Sequence, residues 1–427
     1  MDYSDPRLKG FKKFEYIDDA LKKFFNSLDL NPVDCEVVNV SNALGRVLGE
    51  DVISNVNVPH FSRAAMDGYA VISEDTIGAS FDNPIRLKIV GESAPGKPYR
   101  GQITKGEAVR ISTGAKMPEG SNAVVMVEYT KQIGDYVEIY APVGENQNVS
   151  KVGEDIKKGE IILKKGTVLE PFDLSLLYSI GITKIAVRRK VRVAVGAVGS
   201  ELVDANKFNN VSDNQKYIIE TNRIMISSAL SYFNCEIVDL GIISDDEEDI
   251  KDAIIKGLNE ADIVVLTGGS SVGKYDYIPN IINELGEPGV IVHGVTAHPG
   301  RPVALASING KPIINLPGYP VAAYVDFLLF VPPIIFRLLG ISGEYIPLKV
   351  KAVLDSKVPS KPGTRSFVRV KLVRKGGEYH AIPIRLTGAG VLSSLSKADG
   401  FLIIPEDLEG LDKGSEVEVL LIRRFIS

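Results

Sequence analysis

The residues best suited to chemistry lie in a small set of loops. The first, TGGSSVGKYDY (Thr267–Tyr277), follows an apolar run and carries Gly268, Gly269 and Gly273. Glycines leave backbone N–H groups uncovered, which is how a loop cradles an anion. The order Gly268, Gly273, Lys274 nearly matches a phosphate-binding P-loop, but Tyr275 stands where that motif needs Ser or Thr to hold magnesium. Asp276, just beyond, is a carboxylate beside an anion site. Two anions repel unless they share a divalent cation, so Asp276 is the candidate metal ligand. The second loop, LPGYPVAAY, is a Pro317-Gly318-Tyr319-Pro320 turn feeding an apolar helix. Pro320 suits a first-turn position, and the free helix N-terminus that results favours an anion. The third, AHPGRPVALA, puts His298 and Arg301 on a Pro-Gly turn; Arg suits bidentate oxyanion binding, and His joins when protonated. Asp67, in SRAAMDGYAV, and Glu154-Asp155, in VGEDIKKGE, read by themselves as turn residues. No Ser/His/Asp order, HExxH or cysteine-nucleophile signature occurs. The chemistry therefore rests on carboxylates, backbone N–H groups and a few cations, which points to phosphate-bearing or oxyanion substrates with a divalent metal.

Positioning these loops needs several kinds of element. Phe14, Ile17, Leu21, Phe24, Phe25 and Leu28 recur at helical spacing, and a short helix is expected there. Residues 84–145 alternate short apolar runs with turn signals and read as a β-rich module. A helix is expected from Pro171, with Gly181 near its end. From Val191 to Leu339 strands and helices alternate, which predicts a mostly parallel sheet covered by helices, with ligands beyond the carboxyl ends of the strands. Within it Thr221 is the expected cap of one helix, and Ser244 with Glu247 a capping box for the next. Residues 345–427 return to β signals and predict a barrel-like domain, closed to hide its edges.

Composition bounds the class. A chain of 427 residues predicts about three or four domains. Lys and Arg number 49 against 54 Asp and Glu, a net charge of −5, which argues against general nucleic-acid binding. Asp326 and Pro332-Pro333 interrupt the apolar stretch from Tyr319 to Leu339, so it reads as a buried helix and no membrane is expected. Residues 1–30 are charged throughout, unlike a signal peptide. Cys35 and Cys235 form no CxxC pair, and a reducing cytoplasm fits them. The 40 Gly and 23 Pro, with no low-complexity tract, imply many tight turns rather than disorder.

Taken in order, MDGYA, TGAKMPEGSNAVV, GED, ETNR, TGGSSVG-x-YDY, HPGRP, LPGYPV and LSSLSKADG resemble the molybdopterin molybdenumtransferases, the MoeA proteins related to the gephyrin E domain. The resemblance runs from about residue 14 to 425. It implies a four-part, multidomain α/β plus β subunit. The parts are an N-terminal linker domain (1–43 plus 146–182), a β-rich inserted domain (44–145), a three-layer α/β molybdopterin-binding domain (183–340) and a C-terminal β-barrel domain (345–427). It implies a cytoplasmic homodimer with the active site at the subunit interface, and a molybdopterin adenylyltransferase as a candidate upstream partner. The implied reaction inserts molybdate into the dithiolene of adenylylated molybdopterin and releases AMP, with Mg2+ assisting.

Carried over by position, Asp67, Asp155, Glu201 and Asp276 match the acids of the family's motifs, Asp276 lying near magnesium. Gly268, Gly269, Ser270, Ser271 and Gly273, with Pro317, Gly318 and Pro320, match its cofactor loops. Arg365, Arg369, Ser393 and Ser394 match segments that imply oxyanion contacts, and His298 and Arg301 stand as cofactor-binding candidates in the turn where the family has Lys-Pro-Gly-Lys-Pro. The chain departs from the family at His298 and Arg301 (two Lys), at Tyr319 (Asn), at Ser150 (Arg) and at Lys274 (a carboxylate). These departures leave molybdate and tungstate both open as the metal oxyanion, and reduced turnover open as well. Two other readings stand beside the first: molybdopterin adenylylation, which the α/β domain alone would suit, and a cofactor-binding scaffold without turnover.

Overall fold

The computed structural model describes residues 14–208, 216–269, 277–343, 346–385 and 388–423. They fall into two compact units. One comprises the described residues of Met1–Glu36, Gly45–Val47 and Val187–Ser427; the other comprises Val37–Leu44 and Leu48–Ala186.

The first unit is built on a six-stranded sheet: β1 (Arg192–Val198), β2 (Glu236–Ile243), β3 (Ile263–Gly268), β4 (Pro288–His293), β5 (Ala304–Ile308) and β6 (Lys311–Leu316). Their spatial order is β2-β1-β3-β6-β5-β4. The first four run parallel, and β5 and β4 add antiparallel. Runs such as Ile263-Val264-Val265-Leu266 are apolar at every position because both faces are covered. Alternate residues go to opposite faces. Val193, Val195, Ile263 and Val265 face one core with α1 (Asn222–Ser231) and α4 (Pro320–Leu339). Ala194, Val264 and Leu266 face the other with α2 (Glu247–Glu260) and α3 (Ile278–Leu285).

Local signals explain the helix limits. Pro320 opens α4, and Gly340, in the left-handed region, closes it. Twelve of its residues, Asp326 among them, are buried, so the one helix long and apolar enough to cross a membrane among the described residues is a core helix. At α2 the structure replaces the expected Ser244 cap: Asp246 is the N-cap and accepts from the Glu248 N–H at 3.0 Å. Ser244 instead hydrogen-bonds Asp249, because the chain turns into the helix two residues later than the capping-box spacing implies. At α1 the Thr221 side chain makes no capping bond; the Glu220 carboxylate accepts from the Arg223 N–H at 2.6 Å and does that work.

The helix Ile17–Asn26, grouped from sequence with 146–182, packs here on the sheet of the α/β domain. Ile17, Ala20 and Phe24 are fully buried in its core. That grouping is what the family resemblance implies; the apolar stripe of the helix is buried against this sheet.

The C-terminal strands Lys349–Leu354, Arg365–Lys375, Glu378–Arg385, Gly400–Ile404 and Glu416–Leu421 close on themselves through pairing of Arg365–Lys375 with Gly400–Ile404. Closure removes exposed strand edges, as expected. The short strand Ala297–His298 joins the barrel in parallel, Ala297 beside Arg365 and His298 beside Ser366.

The second unit holds a six-stranded sheet in the order Ala123–Met126, Gly68–Val71, Glu107–Ile111, Ile85–Ser93, Tyr136–Ile139, Thr130–Ile133. Two short ribbons, Arg63–Ala64 with Val149–Ser150 and Val52–Ile53 with Ile161–Leu163, accompany it. The helix Pro171–Ser179 starts at the proline as expected.

Candidate active site

A cavity of about 880 Å³ opens beyond the carboxyl ends of β1, β3 and β6. The chain leaves β1 for β2 on one side and returns to β3 on the other. The cleft therefore lies at the reversal of strand order, where open α/β sheets bind ligands.

Each strand end contributes a piece of wall. After β1, the Glu201 carboxylate folds back over Gly199, whose added Cβ would meet its oxygens at 2.8 and 2.9 Å. After β3, Gly268 and Gly269 have φ of +92° and +62°, and a Cβ on Gly268 would come within 2.3 Å of the Val198 carbonyl oxygen. Only glycine fits there, and it brings the backbone to the cleft. After β6, the Pro317-Gly318-Tyr319-Pro320 turn lies against Gly268, 3.6 Å from its Cα to the Cβ position of Gly318. Asn222, at the start of α1, donates from Nδ2 to the Gly318 carbonyl at 2.7 Å and pins that turn. A parallel pair, Leu202–Val203 with Ile218–Ile219, supplies aliphatic walls. Gly390 and Leu392 of the barrel complete the rim.

Charges at the rim are largely engaged. The Asp245 carboxylate accepts from the Ser200 N–H at 2.8 Å. Arg223 lies 3.7 Å from both Glu220 and Asp204 and bonds Asp239. The start of α4 offers less to an anion than the sequence implies: Pro320 has no N–H, and the Val321 N–H donates to the Ala389 carbonyl at 3.0 Å.

Of the residues expected in the site, Glu201, Gly268, Gly269, Pro317, Gly318 and Pro320 are brought together. Ser270, Ser271, Gly273 and Asp276 lie outside the described residues. The remaining cations of the first unit do not line the cleft. Arg365 forms a bidentate pair with Asp18, at 2.9 and 3.2 Å, and also bonds Glu406. Arg301 lies over the Phe14 ring, 5.0 Å from its centroid. His298 sits on the barrel edge; partial burial of the ring, then the charges of Arg301, Lys361 and Arg369, hold its pKa below 6.5. The imidazole is therefore neutral at neutral pH. Arg369, almost wholly buried, donates to the Gly388 carbonyl at 3.0 Å and to Ser394 Oγ at 3.3 Å, bracing the loop that carries Gly390. Ser393 is exposed beside it.

Asp67 and Asp155 belong to the second unit. Asp67 accepts from the Thr113 N–H at 2.8 Å and lines a hollow of about 310 Å³ with Arg110, Ser112, Thr130 and Gln132. Asp155 is exposed, and its N–H donates to the Val58 carbonyl at 3.0 Å. Sequence reasoning quoted ETNR without assigning it; Glu220 and Asn222 of that motif cap α1 and pin the glycine turn.

A glycine-built cleft at the switch point of an α/β sheet, rimmed by a closed barrel and joined to a separate β unit, defines a multidomain ligand-binding α/β protein. The comparisons with known proteins make this specific. Residues 16–181 match the MoeA N-terminal region (domain I and II), 194–337 the "Probable molybdopterin binding domain", and 351–422 the MoeA C-terminal region (domain IV). A Methanocaldococcus jannaschii protein named for molybdopterin biosynthesis is 41% identical over 410 residues, 95% of this chain and 96% of that one. The molybdopterin molybdenumtransferase of Bacillus subtilis is 34% identical over 396 residues, 91% and 90% of the two chains. The crystal structure of a molybdopterin biosynthesis MoeA protein from Pyrococcus horikoshii superposes with a TM-score of 0.83 at 35% identity, covering 96% of this chain and all of that one. The chain belongs to the MoeA family of molybdopterin molybdenumtransferases.

Proposed function

We propose that this chain acts in molybdenum cofactor biosynthesis as a transferase, inserting molybdate into the dithiolene of adenylylated molybdopterin and releasing AMP. The observation that carries the reading is the cleft of about 880 Å³ at the switch point, whose glycine turns bring backbone to its wall. In this reading Gly268 and Gly269 hold the substrate phosphates. The Asn222-pinned turn shapes the cleft around them, and Glu201 takes up the proton of the water that cleaves the phosphoanhydride as AMP leaves. Molybdate is the cargo: the two dithiolene sulfurs bond the molybdenum, and the oxo groups they displace leave as water.

Among the described residues no three His, Cys, Asp or Glu side chains converge on a metal position. They do not form an all-protein cage. They fit the Mg2+ habit of one or two carboxylates completed by substrate phosphates, with Glu201 as the described candidate. Bound there, the ion would neutralise phosphate charge.

The reading includes a homodimer, an adenylyltransferase that supplies the substrate, and a cytoplasmic location, which the two unpaired cysteines support. The test is AMP release by the purified protein from adenylylated molybdopterin with Mg2+ and molybdate, with a tungstate arm beside it. Release that needs either oxyanion supports the reading and identifies the oxyanion. Stoichiometric binding with no release favours the scaffold alternative, and ATP consumption without oxyanion favours the adenylyltransferase.

A further inference from the structure

The cleft walls are mostly backbone, proline and aliphatic side chains, and Tyr319 is the single aromatic ring among its described lining residues. It is 66% exposed, yet its surroundings hold it. Its backbone is the N-cap of α4, Pro320 follows, and its carbonyl accepts from the Ala323 N–H at 2.9 Å. Its ring lies against Gly390, where an added Cβ would come within 3.1 Å of Cδ1 and 3.4 Å of Cε1. That loop is tied down in turn, by Ala389 to the Val321 N–H and by Gly388 to Arg369. A large, largely uncovered ring braced along one edge is a preorganised surface, and it lines a cleft whose other apolar walls include Ile218 and Ile219.

The turn that carries Tyr319 is fixed from behind. Asn222, only 7% exposed, spends Nδ2 on the Gly318 carbonyl at 2.7 Å. An aliphatic ligand would leave the uncovered ring face unused, whereas a flat heteroaromatic ring would cover it.

We propose that Tyr319 is a specificity-determining platform on which the heteroaromatic ring of the substrate stacks, with Gly390 as the small residue that leaves room for the ring's edge beside the barrel loop. The proposal rests on the reading of the cleft as the adenylylated-pterin site. Adenine and pterin share the required chemistry, so the experiment separates them.

The full chain contains no Trp, so Tyr319→Trp places a single indole on the platform. AMP and neopterin are titrated separately, following Trp emission in this variant and heat of binding in the wild type, Tyr319→Phe and Tyr319→Ala. Saturable quenching by one ligand is expected. Tyr319→Ala should bind that ligand about tenfold more weakly, and Tyr319→Phe should keep wild-type affinity, as stacking on an aromatic ring requires. Gly390→Ala, which crowds the ring, should weaken the same ligand. The ligand that loses affinity identifies the ring that stacks. If the wild type binds AMP or neopterin and Tyr319→Ala binds both as tightly, the platform is refuted while the proposed function stands. If the wild type binds neither of these nor adenylylated molybdopterin, the reading of the cleft fails, and the platform with it.

Discussion

Asp326 offers a sharp test of the packing described above. It lies in the middle of α4 with no exposed surface, and neither carboxyl oxygen has a hydrogen-bond partner. One oxygen abuts Gly300, where an added Cβ would stand 2.3 Å away. Burial alone pushes its pKa well above 3.8. The folded protein therefore keeps this proton when the unfolded chain has lost it. Between 3.8 and the folded-state value the native state binds more protons, so stability falls as pH rises, by about 1.4 kcal/mol per pH unit. Asp326→Asn keeps the shape and the unpartnered polar atoms but removes the titration. The gap in stability between variant and wild type should thus widen in favour of the variant by about 1.4 kcal/mol per unit from about pH 4 upward, as far as the folded-state pKa. At about 2 °C per kcal/mol for a unit of this size, the difference in melting temperature should grow by about 3 °C per unit. It should then level off at the folded-state pKa. Melting of both proteins at pH 4, 5, 6 and 7 reads this directly. A gap that stays constant across that range would refute the claim that the carboxyl is buried without a partner.

Other outcomes follow from the same geometry. Asn222→Ala removes the 2.7 Å bond to Gly318 and should weaken AMP binding about tenfold through the loosened turn, at a cost of about 1–3 kcal/mol; unchanged calorimetric affinity would show that the turn holds without it. The pKa of His298 is depressed by partial burial of the ring and then by neighbouring Arg301, Lys361 and Arg369, so the unfolded state takes up its proton first. Stability should fall as pH drops from 6.5 toward the folded-state value, and His298→Gln should blunt that fall; parallel melting curves at pH 5 and 7.5 would contradict it. The Cys235 thiol is pushed up to about 12, chiefly by burial, whereas Cys35 is exposed. A thiol assay on the native protein at pH 8 should therefore titrate one fast cysteine, removed by Cys35→Ser; two equally fast thiols would overturn this.

How far the sequence could be read depended on whether a signal was local. The alternation of apolar runs and helices from Val191 to Leu339 is written residue by residue, and the parallel sheet follows from it. Gly268 and Gly269 were legible because a positive φ leaves a one-letter mark. The Ser244 capping box was a misreading of two nearby candidates, since Asp246, two residues later, is the N-cap and accepts from the Glu248 N–H. The helix Ile17–Asn26 showed its apolar stripe, but a stripe does not name the surface that buries it.

The sequence by itself determined the class of fold, the glycine turns and the order of motifs that places the chain among the MoeA proteins, because these depend on residues a few positions apart. Only the tertiary structure decided which charges stay available. Arg365 looked like an oxyanion contact and is held by Asp18, 347 residues away. Arg369 looked the same and braces a barrel loop from behind. His298 is crowded by three cations, one of them three residues away and the others on the barrel segment, and Asp326 is left in the core with its proton. Desolvation and ion pairing sum over neighbours in space, and those neighbours are chosen by the closing of the barrel on the sheet rather than by any spacing along the chain.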